Sequence, residues 1–254
     1  MEYLGKSAYL YQGRGPTILK LGSLCMNGQP IVLGTRYQDG HLLQFGDSVP
    51  GYEISWVLVN GILIADRCLL TNISWYDLNK QNLVFGKPIS IDGTEYTCRL
   101  LKVGSEEKAS NEWDAALDAV CDDSDSLWHW SGSGFWGQET PDEYSWGRAC
   151  RGGDFARSWD WVTLANMSLG FRPVLEPKWL TPKKVALNEH LTIWCGQSIL
   201  KGHLVDKTKY DWVLIPDQES IVSESDLNHQ IVRLPDGQVL IDCTGISAVQ
   251  VLHT

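Results

Sequence analysis

Apolar and polar residues alternate with a period of two along much of this chain, and Asn-Gly or Asp-Gly steps cut the alternating runs at intervals. Successive side chains on a strand point to opposite faces, so such runs read as half-buried strands. The steps supply the two residues tolerant of positive φ that a tight hairpin turn requires. Five occur: Asn27-Gly28 in LCMNGQPIVL, Asp39-Gly40 in TRYQDGHLLQF, Asn60-Gly61 in WVLVNGILIA, Asp92-Gly93 in ISIDGTEYTCRL and Asp236-Gly237 in IVRLPDGQVLID. Each predicts a hairpin.

Helical spacing is confined to two places. In NISWYDLNKQN, Ser74 with Asp77 three positions on reads as a capping box, and Trp75 with Leu78 makes a short apolar face. In SNEWDAALDAV, Ser110 or Asn111 can cap, and Trp113, Ala116, Leu117 and Val120 recur at helical intervals. The expected class is α+β, mostly β, with two short helices. Three segments are expected: hairpins over 1–50 ending at GDSVPG, a central domain over 51–176 holding both helices, and a small β module over 177–254 opening at the proline-punctuated EPKWLTPKK. No period of 20 to 50 residues repeats, which argues against a solenoid or propeller.

Charge and composition narrow the function. With 21 basic and 31 acidic residues among 254, the net charge is -10, a poor basis for neutralising phosphates, so duplex nucleic acid is not an expected partner. No apolar run is long enough to span a bilayer. The opening MEYLGKSAYLYQGRG lacks the charged start and continuous apolar stretch of a signal peptide, so a cytoplasmic chain is expected, with the virion as the other location. Seven cysteines lie no closer than 23 positions apart, which excludes zinc-type pairs and points to reduced thiols.

Candidate chemistry is thin. DDSDS at 122–126 opens like a calcium loop but lacks its sixth-position glycine and closing glutamate. GSGFWG at 132–137 lacks the Lys-Ser/Thr of a phosphate loop, no serine sits in a nucleophile elbow, and the histidines are scattered. What stands out is tryptophan: seven of twelve fall between Trp113 and Trp161. Large aromatics set among Asp, Ser, Asn and His suit a recognition surface, since they offer wide contact area at low entropic cost. They suit a core beneath irregular loops equally, and Trp113, Trp146 and Trp159 are read as fitting either role.

The landmarks then fall in a familiar order. NEWDAAL (111–117), preceded by YTCRLL (96–101) and followed by WHWSGSGFWGQE, RACRGGDFARS (148–158) and GFRPV (170–174), resembles the C-type-lectin-like domain of formylglycine-generating enzymes and of the variable proteins of diversity-generating retroelements, over about residues 51–176. The resemblance implies scaffold roles for Arg151, Gly152, Gly153, Arg157, Gly170, Phe171 and Arg172. The enzyme branch holds copper on two cysteines after its Arg-Gly-Gly, and the iron-dependent relatives need a histidine constellation. DFARSWDWVTLANMSL contains neither, so no cofactor, metal or catalytic residue is expected.

In the binding branch, the segment between Arg-Gly-Gly and Gly-Phe-Arg carries the contact face. That implies Asp154, Phe155, Trp159, Asp160, Trp161 and Asn166 as contact residues, joined by Trp128, His129, Trp130 and Trp136, although strand alternation sends only half outward. The expected function is non-enzymatic recognition of a protein, glycan or small molecule. Alternatives are a phage-encoded cytosolic chain sequestering a host signalling metabolite, an oxidoreductase with a metal on Cys150, His129 and Asp154, and a structural virion or assembly component forming a homo-oligomer.

Overall fold

Three of the five turn steps close two-residue hairpins in the computed structural model, which describes residues 11–13, 16–142, 144–163, 169–178 and 185–252. After a short strand β1 (Tyr11–Gly13), β2 (Ile18–Met26) and β3 (Gln29–Pro30) are joined at Asn27-Gly28, with φ of 51° and 79°. β4 (Thr35–Arg36) and β5 (Leu43–Gly46) follow, and then β6 (Glu53–Val59) and β7 (Ile62–Ala65), joined at Asn60-Gly61. β8 (Leu70–Thr71) leads into α1 (Trp75–Lys80), and β9 (Lys87–Ile91) turns into β10 (Thr94–Leu100) at Asp92-Gly93. Asp39-Gly40 departs from expectation. Only Gly40 has positive φ, and the flanking β4 and β5 pair elsewhere, β4 with β8 and β5 with β2.

Both expected helices form. In α1 the Asp77 amide donates to the Ser74 hydroxyl, while Trp75 and Leu78 are buried. α2 (Glu112–Val120) is capped by Asn111, whose side-chain oxygen accepts from the Asp114 amide at 2.8 Å. A third helix, the single turn α3 (Asp125–Trp128), rises from the acidic loop and ends at His129 in the left-handed region. Four residues are too few to show a period, so the sequence pattern misses it.

The remaining strands are β11 (Phe135–Trp136), β12 (Gly147–Arg151), β13 (Trp159–Thr163), β14 (Pro173–Pro177), β15 (His190–Cys195), β16 (Ser198–Lys207), β17 (Asp211–Pro216), β18 (Ile221–Ser223), β19 (Ile231–Arg233), β20 (Val239–Asp242) and β21 (Ile246–Val251). The described chain is thus mostly β, with three short helices.

The chain divides into two compact units. One comprises Ile18–Val57 and Ile62–Glu176. Its main sheet runs β3-β2-β6-β7-β14-β10-β9 with β5 on β2, beside a three-stranded sheet β11-β12-β13. The 1–50 and 51–176 segments, expected as separate, share this sheet, because β2 pairs with β6 from Ile18 opposite Val57 to Ser23 opposite Glu53. The other unit holds Leu58–Gly61 with the described residues up to Thr17 and from Pro177 onward. In it β15 pairs with both β16 and β21 over a core of Leu191, Ile193, Leu200, Trp212 and Val249. The Asp236-Gly237 step closes its β19–β20 hairpin through a longer turn, in which the Leu234 amide donates to the Gln238 carbonyl.

Tryptophan serves a double purpose in the larger unit. Trp56, Trp113, Trp128 and Trp136 are fully buried. Their indole N–H groups donate to the backbone carbonyls of Leu21, Ala156, Asp122 and Ile73. An indole fills volume and also satisfies a carbonyl of the segment above it, which would otherwise be left unpaired on burial.

Candidate functional site

The Arg-Gly-Gly turn joins β12 to β13, which pair from Gly147 opposite Thr163 to Arg151 opposite Trp159. Gly152 and Gly153 have φ of 78° and 100°, and a Cβ on Gly152 would stand 3.3 Å from the Phe135 ring. Arg151 is buried and donates to the carbonyls of Val103, Arg157 and Glu107, with the Asp114 carboxylate at 3.1 Å. Arg157 pairs with Asp118 at 2.6 Å. Phe171 and Gly170 meet β8 and its approach, and a Cβ on Gly170 would come within 2.6 Å of Cys68 Sγ. Arg172 is fully buried over the rings of Trp113 and Phe135, and its guanidinium reaches the carbonyls of Asp66, Trp128 and His129. Burial pulls the pKa values of both guanidinium groups, Arg151 and Arg172, downward.

On this frame β13 presents an aromatic edge. Trp159 and Trp161 stand two residues apart and so share one face of the strand. They line a cleft of about 470 Å³ together with Tyr144, Pro141, Glu106 and Asp142. Ser105 completes the wall. Each side of the cleft is tethered. The Trp159 indole donates to the Gly104 carbonyl at 3.2 Å, which fixes the loop that supplies Ser105 and Glu106. Opposite, the Tyr144 amide donates to Pro141 and the Gly147 amide to Tyr144, making a tight turn before β12. Tyr144 stacks on Trp161 with centroids 4.2 Å apart and planes inclined by 21°, and Trp146 meets Trp161 edge-on at 4.8 Å. Gly147 lets the ring settle there, since a Cβ would lie 2.9 Å from Trp161 Cε3.

The expected contact residues fall into distinct places. Trp159 and Trp161 line the cleft. Trp128 and Trp136 do not belong to any surface: both are fully buried, because their indole N–H groups are drawn inward to backbone carbonyls. His129 is half-buried, with Nε2 3.1 Å from Arg67 Nη2, and Arg67 in turn holds Asp66. Trp130 is half-buried and donates to the Asp123 carbonyl. Asp154 and Phe155 are exposed on the turn, Phe155 at 58%. Asp160 is exposed on the opposite face from the two tryptophans, across from Cys150. Asn166 lies outside the described residues. Of the aromatics read as fitting core or surface, Trp113 is core, whereas Trp159 is half-buried and Trp146 is 53% exposed.

Sequence reasoning missed Pro141, Asp142 and Tyr144, and with them Ser105 and Glu106. TPDEYSW carried a usable signal: a Pro-Asp turn followed by two aromatics directly before a strand. For Ser105 and Glu106 no local signal exists, because their loop is brought to the cleft by distant partners: Trp159 bonds the Gly104 carbonyl, and Arg151 bonds those of Val103 and Glu107.

Cys150, His129 and Asp154 are not gathered for a metal: Cys150 faces Asp160, His129 faces Arg67, and Asp154 is exposed on the turn. Cys150 is buried opposite Asp160, and its burial pushes the thiol up to about 12, the Asp160 charge adding to the shift. Among the described residues no group of three or more His, Cys, Asp and Glu is placed to hold a metal ion. No helix among the described residues is long and apolar enough to cross a membrane. No protein-family model, curated protein or solved structure matches the chain, so the cleft and its frame are the basis on which its function is read.

Proposed function

We propose that this is a non-enzymatic recognition protein, a C-type-lectin-like frame over about residues 51–176 that takes its ligand in the aromatic cleft beside β13. One observation carries the reading: Trp159 and Trp161, in the segment between Arg-Gly-Gly and Gly-Phe-Arg, converge with Tyr144 on a concave site of ligand size. Supporting it, the arginines and glycines on either side are spent on backbone carbonyls and close packing, which leaves β13 to vary its side chains on a fixed support. The ligand is a small molecule, or a side chain or sugar of a larger partner, that fits between the rings.

The test is a melting-temperature and tryptophan-fluorescence screen against sugars, nucleotides, organic amines and divalent ions. A ligand that binds only the folded state stabilises it by about 2.7 kcal/mol at a free concentration a hundred times its Kd. The expected hit disappears in Trp161→Ala and in Trp159→Ala and persists in Phe155→Ala. A hit indifferent to both tryptophans, or metal-dependent turnover by the purified chain, overturns the proposal.

A further inference from the structure

The walls of the cleft are aromatic, while its charged groups are all of one sign. Glu106 and Asp142 are exposed lining residues, and among the described residues no lysine, arginine or histidine lines the cleft with them. The remaining polar side-chain groups are the hydroxyls of Ser105 and Tyr144 and the indole N–H groups of the two tryptophans, of which that of Trp159 is spent on Gly104. A sugar site of this size needs side-chain donors and acceptors in comparable number to pair with hydroxyls, and this lining has no amide or guanidinium to donate. A metal ion needs more oxygen ligands than two carboxylates provide, and no wider group of metal ligands is assembled among the described residues. Ring faces carry negative potential, and they hold a positive charge best when it is weakly hydrated and organic. The chain as a whole, at net charge -10, draws such ligands in.

We propose that the cleft recognises an organic cation, an alkylated ammonium head group seated against Trp159, Trp161 and Tyr144 with its charge balanced by Glu106 and Asp142. This inference rests on the reading of the cleft as the ligand site. The cation is presented either as a free small molecule or as a methylated lysine side chain of a partner, the recognised chemistry being the same. Fixing Trp159 to Gly104 and stacking Tyr144 on Trp161 sets the walls before the ligand arrives, so little ordering is left to oppose binding.

The experiment uses the full chain and paired probes: choline against its neutral isostere 3,3-dimethylbutan-1-ol, tetramethylammonium against tert-butanol, a trimethyl-lysine peptide against its unmodified form, and methyl glucoside as a sugar. The expected result is binding of each cation at least about tenfold tighter than its neutral partner, weakened by added salt. The loss should be about fivefold or more in the double variant Glu106→Gln/Asp142→Asn, whose exposed positions leave folding intact. A response to the peptide alone identifies a protein-borne cation and supports the inference, as does a response to the free cations. Equal binding of cation and isostere, or binding of the glucoside alone, with either signal lost in Trp161→Ala, overturns cation recognition while the cleft stands as a ligand site. Silence of every probe overturns this inference. The reading of the cleft itself is then judged by the wider screen, where a hit indifferent to Trp161 removes it as well.

Discussion

Individual residues set two properties of this protein, and both come from what burial does to a polar group. Arg151 and Arg172 lie inside the larger unit with their donors aimed at backbone carbonyls, so two charges hold together loops that have no ladder of their own. The cysteines show the same effect in reverse. Cys68, Cys98, Cys150 and Cys195 are buried free thiols. Burial raises all four above their ordinary 9.0, Cys150 and Cys195 to about 12. The folded state therefore keeps these protons where the unfolded chain gives them up. The associated stability is fully present below pH 9 and is lost as pH climbs from there toward the raised values, at about 1–2 kcal/mol each for Cys150 and Cys195 by pH 10. With reductant present, the melting temperature should fall between pH 8 and pH 10, and Cys150→Val should flatten the fall. An unchanged melting temperature would show that these thiols do not meet the solvent barrier described.

At the scale of elements, β12 and β13 are the pair that matters, and their packing has a narrow tolerance. Trp161 packs against both Tyr144 and Trp146, which also touch each other, and a new Cβ at position 147 would press on its ring. Gly147→Ala should therefore cost about 1–3 kcal/mol of stability, as overpacking does, and weaken ligand binding together with it. A variant of unchanged melting temperature and affinity would mean that the stack is not held as described. Much of this level was legible in the chain. Asn27-Gly28, Asn60-Gly61 and Asp92-Gly93 foretold their hairpins because a turn of two left-handed residues is a local requirement. Ser74 and Asn111 foretold their helices for the same reason. Asp39-Gly40 misled because the partner of a strand is chosen by its far neighbours: β5 lies on β2, and nothing in the turn says so.

The whole molecule is where the sequence spoke least. Trp159 and Trp161, singled out in the sequence, line the cleft, but nothing in the sequence told which aromatics turn inward, and Trp128 and Trp136 went to the core. Their destinations depend on carbonyls at Asp122 and Ile73, the second 63 positions away, and no local pattern encodes such a partner. Ser105 and Glu106 were invisible for the same reason, since a cleft is a product of the assembled unit. The proposed ligand meets the indoles of β13 and leaves the structural ones alone. The most direct measurement is the indole N–H region of a nitrogen–proton correlation spectrum, assigned with Trp→Phe variants and recorded while the paired cations, isosteres and sugars are added. The resonances of Trp159 and Trp161 should shift and saturate together while those of Trp113, Trp128 and Trp136 stay in place. Saturable shifts confined to Trp130 or to the buried indoles would contradict the account, because the ligand would then be bound somewhere other than this cleft.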